Sequence, residues 1–208
     1  MSTPLREAPI LRHGPHLHGH RWGDPWRAAA LLLLAVAVIG AAGTRARAPD
    51  TGDIQFTAAQ AGTPLRGSFE DFTARVEFDP LHPQSGAVHV QVSVASVSAG
   101  SREADALLRS AGFFDAAQFP QASFDAAHFV AQTDGQYLAR GSFVLKGHAM
   151  EMPVTFAVAS DARGRWFNGS FSISRLQFGV GQGEWSDTST LDDRVEIAFR
   201  VLEAPAAR

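Results

Sequence analysis

From Asp53 onward the sequence alternates apolar and polar residues with a period of two, and no other feature restricts the fold as much. Ala87-Val88-His89-Val90-Gln91-Val92-Ser93-Val94 places valines on one face and His, Gln and Ser on the other. The stretches Phe72–Phe78, Tyr137–Leu145, Val154–Val158, Phe167–Ile173 and Val195–Val201 follow the same rule. Successive side chains of a strand point to opposite faces, so this alternation predicts strands with one buried face. Turn-forming residues separate the runs: Pro80–Gly86, Asp134-Gly135, Lys146-Gly147, Asp161–Gly164 and Gly179–Gly183. Only Ser101–Arg109 reads as helical. The expectation is an all-β protein, an antiparallel β-barrel of about eight strands with one short helix, over residues 50–203.

A different segment precedes this domain. Ala28–Gly43 is a run of 16 residues without a charge, preceded by Arg21 and Arg27 and followed by Arg45 and Arg47. As a helix it would span roughly 24 Å against a hydrocarbon core of about 30 Å. That length lies between a signal-peptide core and a short anchor. Residues 28–43 are therefore expected to form an N-terminal apolar helix, a signal-anchor with its basic arm inside, or a cleaved signal peptide. Residues 1–27 form a basic tail in which His13, His16, His18 and His20 crowd together; a flexible polar tail explains them without a metal.

Charge and composition narrow the function. Residues 1–49 hold six arginines against Glu7 and Asp24, net +4, whereas residues 50–208 hold twelve basic and nineteen acidic residues, net −7. An acidic folded part suits nucleic acid poorly, because that affinity rests on phosphate neutralisation. The chain has no cysteine, which excludes disulfides and thiolate chemistry. It has 15 Phe against a single Tyr, and Phe without a polar handle suits an apolar core or cavity. No G-x-S-x-G elbow, H-E-x-x-H pair or phosphate-binding glycine loop is present, so no enzyme activity is expected. Asp192-Asp193 reads as a surface turn, and His82, His89, His128 and His148 are too scattered for a metal site.

By alternation the inward face includes Phe56, Phe72, Val76, Val90, Val92, Phe124, Phe143, Phe156, Phe171, Ile197 and Phe199. Leu107, Leu108, Phe113 and Phe114 come from the helical insertion and would close one end. A barrel of this size is either filled by side chains or holds one ligand, and alternation alone leaves both open.

Several motifs resemble the YceI family. Leu107–Phe124 (LLRSAGFFDAAQFPQASF) is similar to its Phe-rich turn followed by an aromatic-Pro strand. Gly67-Ser-Phe-Glu-Asp-Phe72 resembles the entry to the family's second strand. Gly141-Ser-Phe-Val-Leu-Lys-Gly147 with Met152-Pro-Val154 resembles one of its hairpins. The likeness covers about residues 54–201. It implies a lipocalin-like barrel holding a polyisoprenoid, a quinone or polyprenyl-type lipid, in an apolar cavity, with no further cofactor. The apolar ligand contacts would be Phe56, Phe72, Val90, Val92, Leu107, Leu108, Phe113, Phe114, Phe124, Phe143, Phe156, Phe171 and Phe199. Gln60 and Leu107 occupy positions where the family often has histidines, and Ala104 stands where it often has Arg; Asp105 and Leu108 remain. Polar ligand contacts are thus expected from Gln60 and Asp105 alone. Gly181–Ser189 looks like a subgroup found beside membrane-bound b-type cytochromes, which makes a membrane cytochrome a candidate partner. An alternative role follows: an interaction module with a filled core. The expected location is the periplasm, tethered to the inner membrane by residues 28–43.

Overall fold

Alternating segments become strands wherever a neighbour can complete their hydrogen bonds, and here ten do so in one antiparallel sheet. The structure, a computed structural model, describes residues 51–203; the basic tail and the apolar segment 28–43 lie outside them. The strands are β1 (Gly52–Gln60), β2 (Thr63–Phe69), β3 (Phe72–Glu77), β4 (Ala87–Ser93), β5 (Val97–Ser98), β6 (Gln121–Ala131), β7 (Tyr137–Leu145), β8 (His148–Asp161), β9 (Gly164–Ser174) and β10 (Arg194–Leu202). The sheet order is β3-β4-β6-β7-β8-β9-β10-β1-β2-β5.

The ten strands correct the expected eight, and the reason is a pair of bends. β2 and β3 are halves of one segment bent at Glu70-Asp71, and β4 and β5 are halves of its neighbour, broken by a 3₁₀ turn at Val94–Ser96. β2 pairs with both β1 and β5, while β3 pairs with β4. The edge strands are β3 and β5, and each continues across its bend into the strand beside the other edge, β2 beside β5 and β4 beside β3, so the strongly curled sheet comes round as a half-barrel.

Two glycines inside strands make room for rings from the neighbouring strand. A Cβ on Gly67 would lie 2.3 Å from the Phe56 ring, and one on Gly169 would lie 2.7 Å from the Phe199 ring. Large inward rings lie over these cross-strand glycines. The ladder irregularity falls on β6, between Ala127 and Val130, where His128 adopts φ 60°. Pro153 sits in β8 just short of the residues that pair with β9, where its missing N–H costs no ladder bond.

The helix α1 (Arg102–Arg109) is capped by Ser101, whose hydroxyl accepts from the Ala104 N–H at 3.1 Å. Glu103 and Asp105 lie in its first turn and Arg109 in its last, as the helix dipole favours. After α1 the chain turns through Phe113 and Phe114, both buried, before entering β6.

Candidate functional site

The barrel interior is two packed clusters with a space between them. The first gathers Phe72, Val94, Val97, Phe113, Phe114, Leu145, Phe178 and Leu191 around the end that α1 covers. The second, at the other end, is Phe78, Phe129, Ala139, Phe156 and Phe167. Between them lies a cavity of about 110 Å³. That is an order of magnitude above the roughly 10–15 Å³ one water needs, and near the roughly 150 Å³ of an engineered apolar cavity that takes up benzene.

Its wall is apolar except for Ser123: Ile54, Val76, Val88, Val90, Val92, Ala122, Phe124, Phe129, Ala139, Phe143, Val154, Phe156, Phe167, Phe171, Ile197, Phe199 and Val201. Val90, Phe124, Phe171, Ile197 and Phe199 point inward yet are only half-buried. What they face is the space they enclose. Such a space is poor for water, which needs several polar partners, and suits a thin hydrocarbon.

Of the residues expected to touch a ligand, Val90, Val92, Phe124, Phe143, Phe156, Phe171 and Phe199 line this cavity. Phe56, Phe72, Leu107, Leu108, Phe113 and Phe114 instead belong to the packed end, where Phe56, Phe69 and Phe114 meet tilted or edge-on with centroids 5.6–6.4 Å apart. Asp105 is engaged locally: it accepts from the Ala99 N–H at 2.7 Å and pairs with Arg109 at 3.6 Å. Gln60 ends β1 and bridges to Leu191.

The expected contacts omitted Phe129, which lines the cavity, and the bulge explains why. Counting by twos from Phe124 makes His128 inward; the extra residue resets the phase and turns Phe129 in. No histidine lines the cavity. His89 pairs with Asp125, both well exposed, and His128 Nδ1 lies 2.8 Å from the Gln84 carbonyl. Among the described residues no group of three or more His, Cys, Asp or Glu could hold a metal.

The α1 end is braced by two cations that alternation does not reveal. Arg175, only 2 % exposed, donates to the carbonyls of Asp192, Val180, Gly181, Trp185 and Leu191 at 2.6–3.0 Å. Burial pushes its pKa down, with Asp193 and Asp192 opposing; a guanidinium stays charged regardless. Gly181 has φ 69°, and a Cβ there would lie 2.5 Å from Arg175 Nη1, so glycine is required on both counts. Lys146 Nζ donates to Ala111 O at 2.9 Å and Gly179 O at 2.8 Å, tying the β7–β8 turn to the insertion and the 176–191 loop. Desolvation lowers its pKa, against the charge of Asp115. Trp185 of that loop rests on Phe113, with centroids 5.5 Å apart.

The YceI-like domain model matches residues 47–202. A UPF0312 protein of Pseudomonas putida is 28% identical over 141 residues, 64% of this chain and 72% of its own. The crystal structure of BcnA from Burkholderia cenocepacia is 31% identical, with TM-score 0.70, covering 72% of this chain and 94% of that one. A polyisoprenoid binding domain from Saccharophagus degradans, implicated in plant cell wall breakdown, superimposes with TM-score 0.57 at 12% identity, covering 75% of this chain and 97% of that one.

Proposed function

This chain belongs to the YceI-like domain family, and on that premise we propose that its barrel binds a polyisoprenoid lipid in the cavity between its two aromatic clusters. The observation that carries the reading is the chemistry of the wall, apolar side chains and Ser123 around an interior space of about 110 Å³; that volume holds a group about the size of benzene, so a longer chain is seated only as the clusters at its ends part. Apolar burial, at about 25 cal/mol per Å², supplies the affinity. A branched, narrow chain suits a space walled by Val, Ile and Phe, and the Saccharophagus degradans neighbour, named for polyisoprenoid binding, supports the same ligand class.

The finer reading is that the protein is exported to the periplasm, that residues 28–43 serve as signal or anchor, and that the ligand is a quinone or polyprenyl lipid. The basic arm before the apolar run supports the export topology. The role is that of a carrier, not an enzyme. A b-type cytochrome is the partner such a carrier would serve.

The test is uptake by the full chain. Tritiated geranylgeraniol should bind saturably at one per protein and outcompete a straight-chain alcohol of equal carbon number. Absence of saturable uptake would refute the reading.

A further inference from the structure

The two ends of the cavity are both closed by buried rings and differ in the polar groups beyond them. At the α1 end Val94, Val97 and Phe178 are each 1% exposed, and the Arg175 and Lys146 braces lock the loops over them. At the other end Phe78 and Tyr137, 4.8 Å apart, lie on cavity-lining rings: the Phe78 centroid is 6.1 Å from Phe129, 6.1 Å from Phe156 and 5.6 Å from Phe167, and Tyr137 is 5.6 Å from Phe156. Beyond Phe78 come charges. Arg165 has the parity of Phe167 and Phe171 on β9, and Glu203 continues the parity of Phe199 and Val201 on β10, so both belong to the inward row at the rim. The Arg165 guanidinium stands 5.5 Å from the Phe78 centroid and binds Glu203 through two bonds of 2.8 Å. Arg165 is 30% exposed and Glu203 22%. The pair is two-pronged and still reached by solvent, so a ligand oxygen can take the place of the carboxylate on the same guanidinium fork. Leu81, three residues after Phe78, is 82% exposed.

An apolar cavity with an inward arginine at one end only is a layout that orients an amphiphile. We propose that the Phe78 end is the portal, and that Arg165 receives the oxygen-bearing head of the lipid. In binding, Arg165 gives up its two-bond contact with Glu203 and makes one with a carbonyl or phosphate oxygen of the ligand, a geometry guanidinium favours. Phe78 swings aside to admit the chain. This inference rests on the lipid-binding reading.

The experiment is photo-labelling of the full chain with the geranylgeranyl ether of 4-hydroxybenzophenone, whose ketone is both oxygen acceptor and photoreactive group. Label is expected on peptides carrying Phe78, Tyr137 or Arg165. Saturable uptake with label on peptides carrying Gln60 or Leu107–Phe114 would overturn the portal while leaving lipid binding intact. No saturable uptake would overturn both. In parallel, Arg165→Gln should weaken probe affinity about tenfold, the worth of a hydrogen bond to a charged donor. Glu203→Gln should tighten it, by freeing the guanidinium. Unchanged affinity in both variants would overturn the assignment of Arg165.

Discussion

Replacing Val90 by Phe should stabilise the ligand-free protein and abolish its lipid uptake. Val90 lies mid-strand in β4, opposite Ala74 and Phe124, half-buried because it faces the cavity. A cavity costs about 24 cal/mol per Å³, so filling all 110 Å³ would return at most about 2.6 kcal/mol. A phenyl in place of an isopropyl fills about half of that space, about 1.3 kcal/mol, and ordering the larger side chain takes back up to about 1 kcal/mol, leaving a gain of about 0.3–1.3 kcal/mol. For a chain of this size that raises Tm by about 1–5 °C. Calorimetry of the delipidated full chain measures the shift, and tritiated geranylgeraniol measures uptake. In a solidly packed interior the same substitution overpacks and costs about 1–3 kcal/mol. The sign of the shift therefore decides. A lowered Tm with undiminished uptake would refute the reasoning.

Removing the brace by Arg175→Met strands five loop carbonyls and should cost about 3–5 kcal/mol, the range for breaking a buried charged network; urea unfolding checks it. Phe113→Ala with Phe114→Ala should destabilise by several kcal/mol, about 3–5 for each truncation before relaxation; if lipid is held between the clusters, uptake in the still-folded fraction persists. Geranylgeraniol affinity should change little between pH 5 and 8, because no titratable side chain lines the cavity; a midpoint near 6.5 abolished by replacing His89, His128 or His148 would contradict this. Asp187 is held below its ordinary carboxylate value, first by the Ser189 hydroxyl and then by the Ser189 N–H. A depressed folded pKa gives stability present above about 3.8 and lost as pH falls through the lowered value. The acid limb of a urea–pH profile should therefore shrink in Asp187→Asn. A reporter fused after Arg208 should be active only outside the cytoplasm.

The strands were legible because alternation reports which face is buried, and Tyr137–Leu145 matches β7 end to end. Alternation does not report where a strand breaks, so the bends at Glu70-Asp71 and Val94–Ser96 made ten strands of an expected eight. It fails again at His128, where one extra residue inverts the phase and hid Phe129 from the ligand-contact set. Nor does it report depth: Phe72 and Phe143 are both inward, yet one packs among neighbours and the other faces open space. That difference comes from the whole circuit of strands. Arg175 was illegible because its partners are backbone carbonyls, which any sequence supplies; the glycines at 179, 181 and 183 were the only trace. The resemblance in Leu107–Phe124 pointed to the correct family while drawing attention to the packed end of the barrel.

The most direct test is mass spectrometry of what the full chain carries when purified under native conditions from bacterial membranes and periplasm. Expected is one molecule of an isoprenoid lipid per protein in the intact complex, its mass stepping by the isoprene unit among species, and its loss in Val90→Phe. A protein that emerges free of lipid, and stays free after incubation with polyprenyl alcohols and quinones, would contradict the binding role at its root.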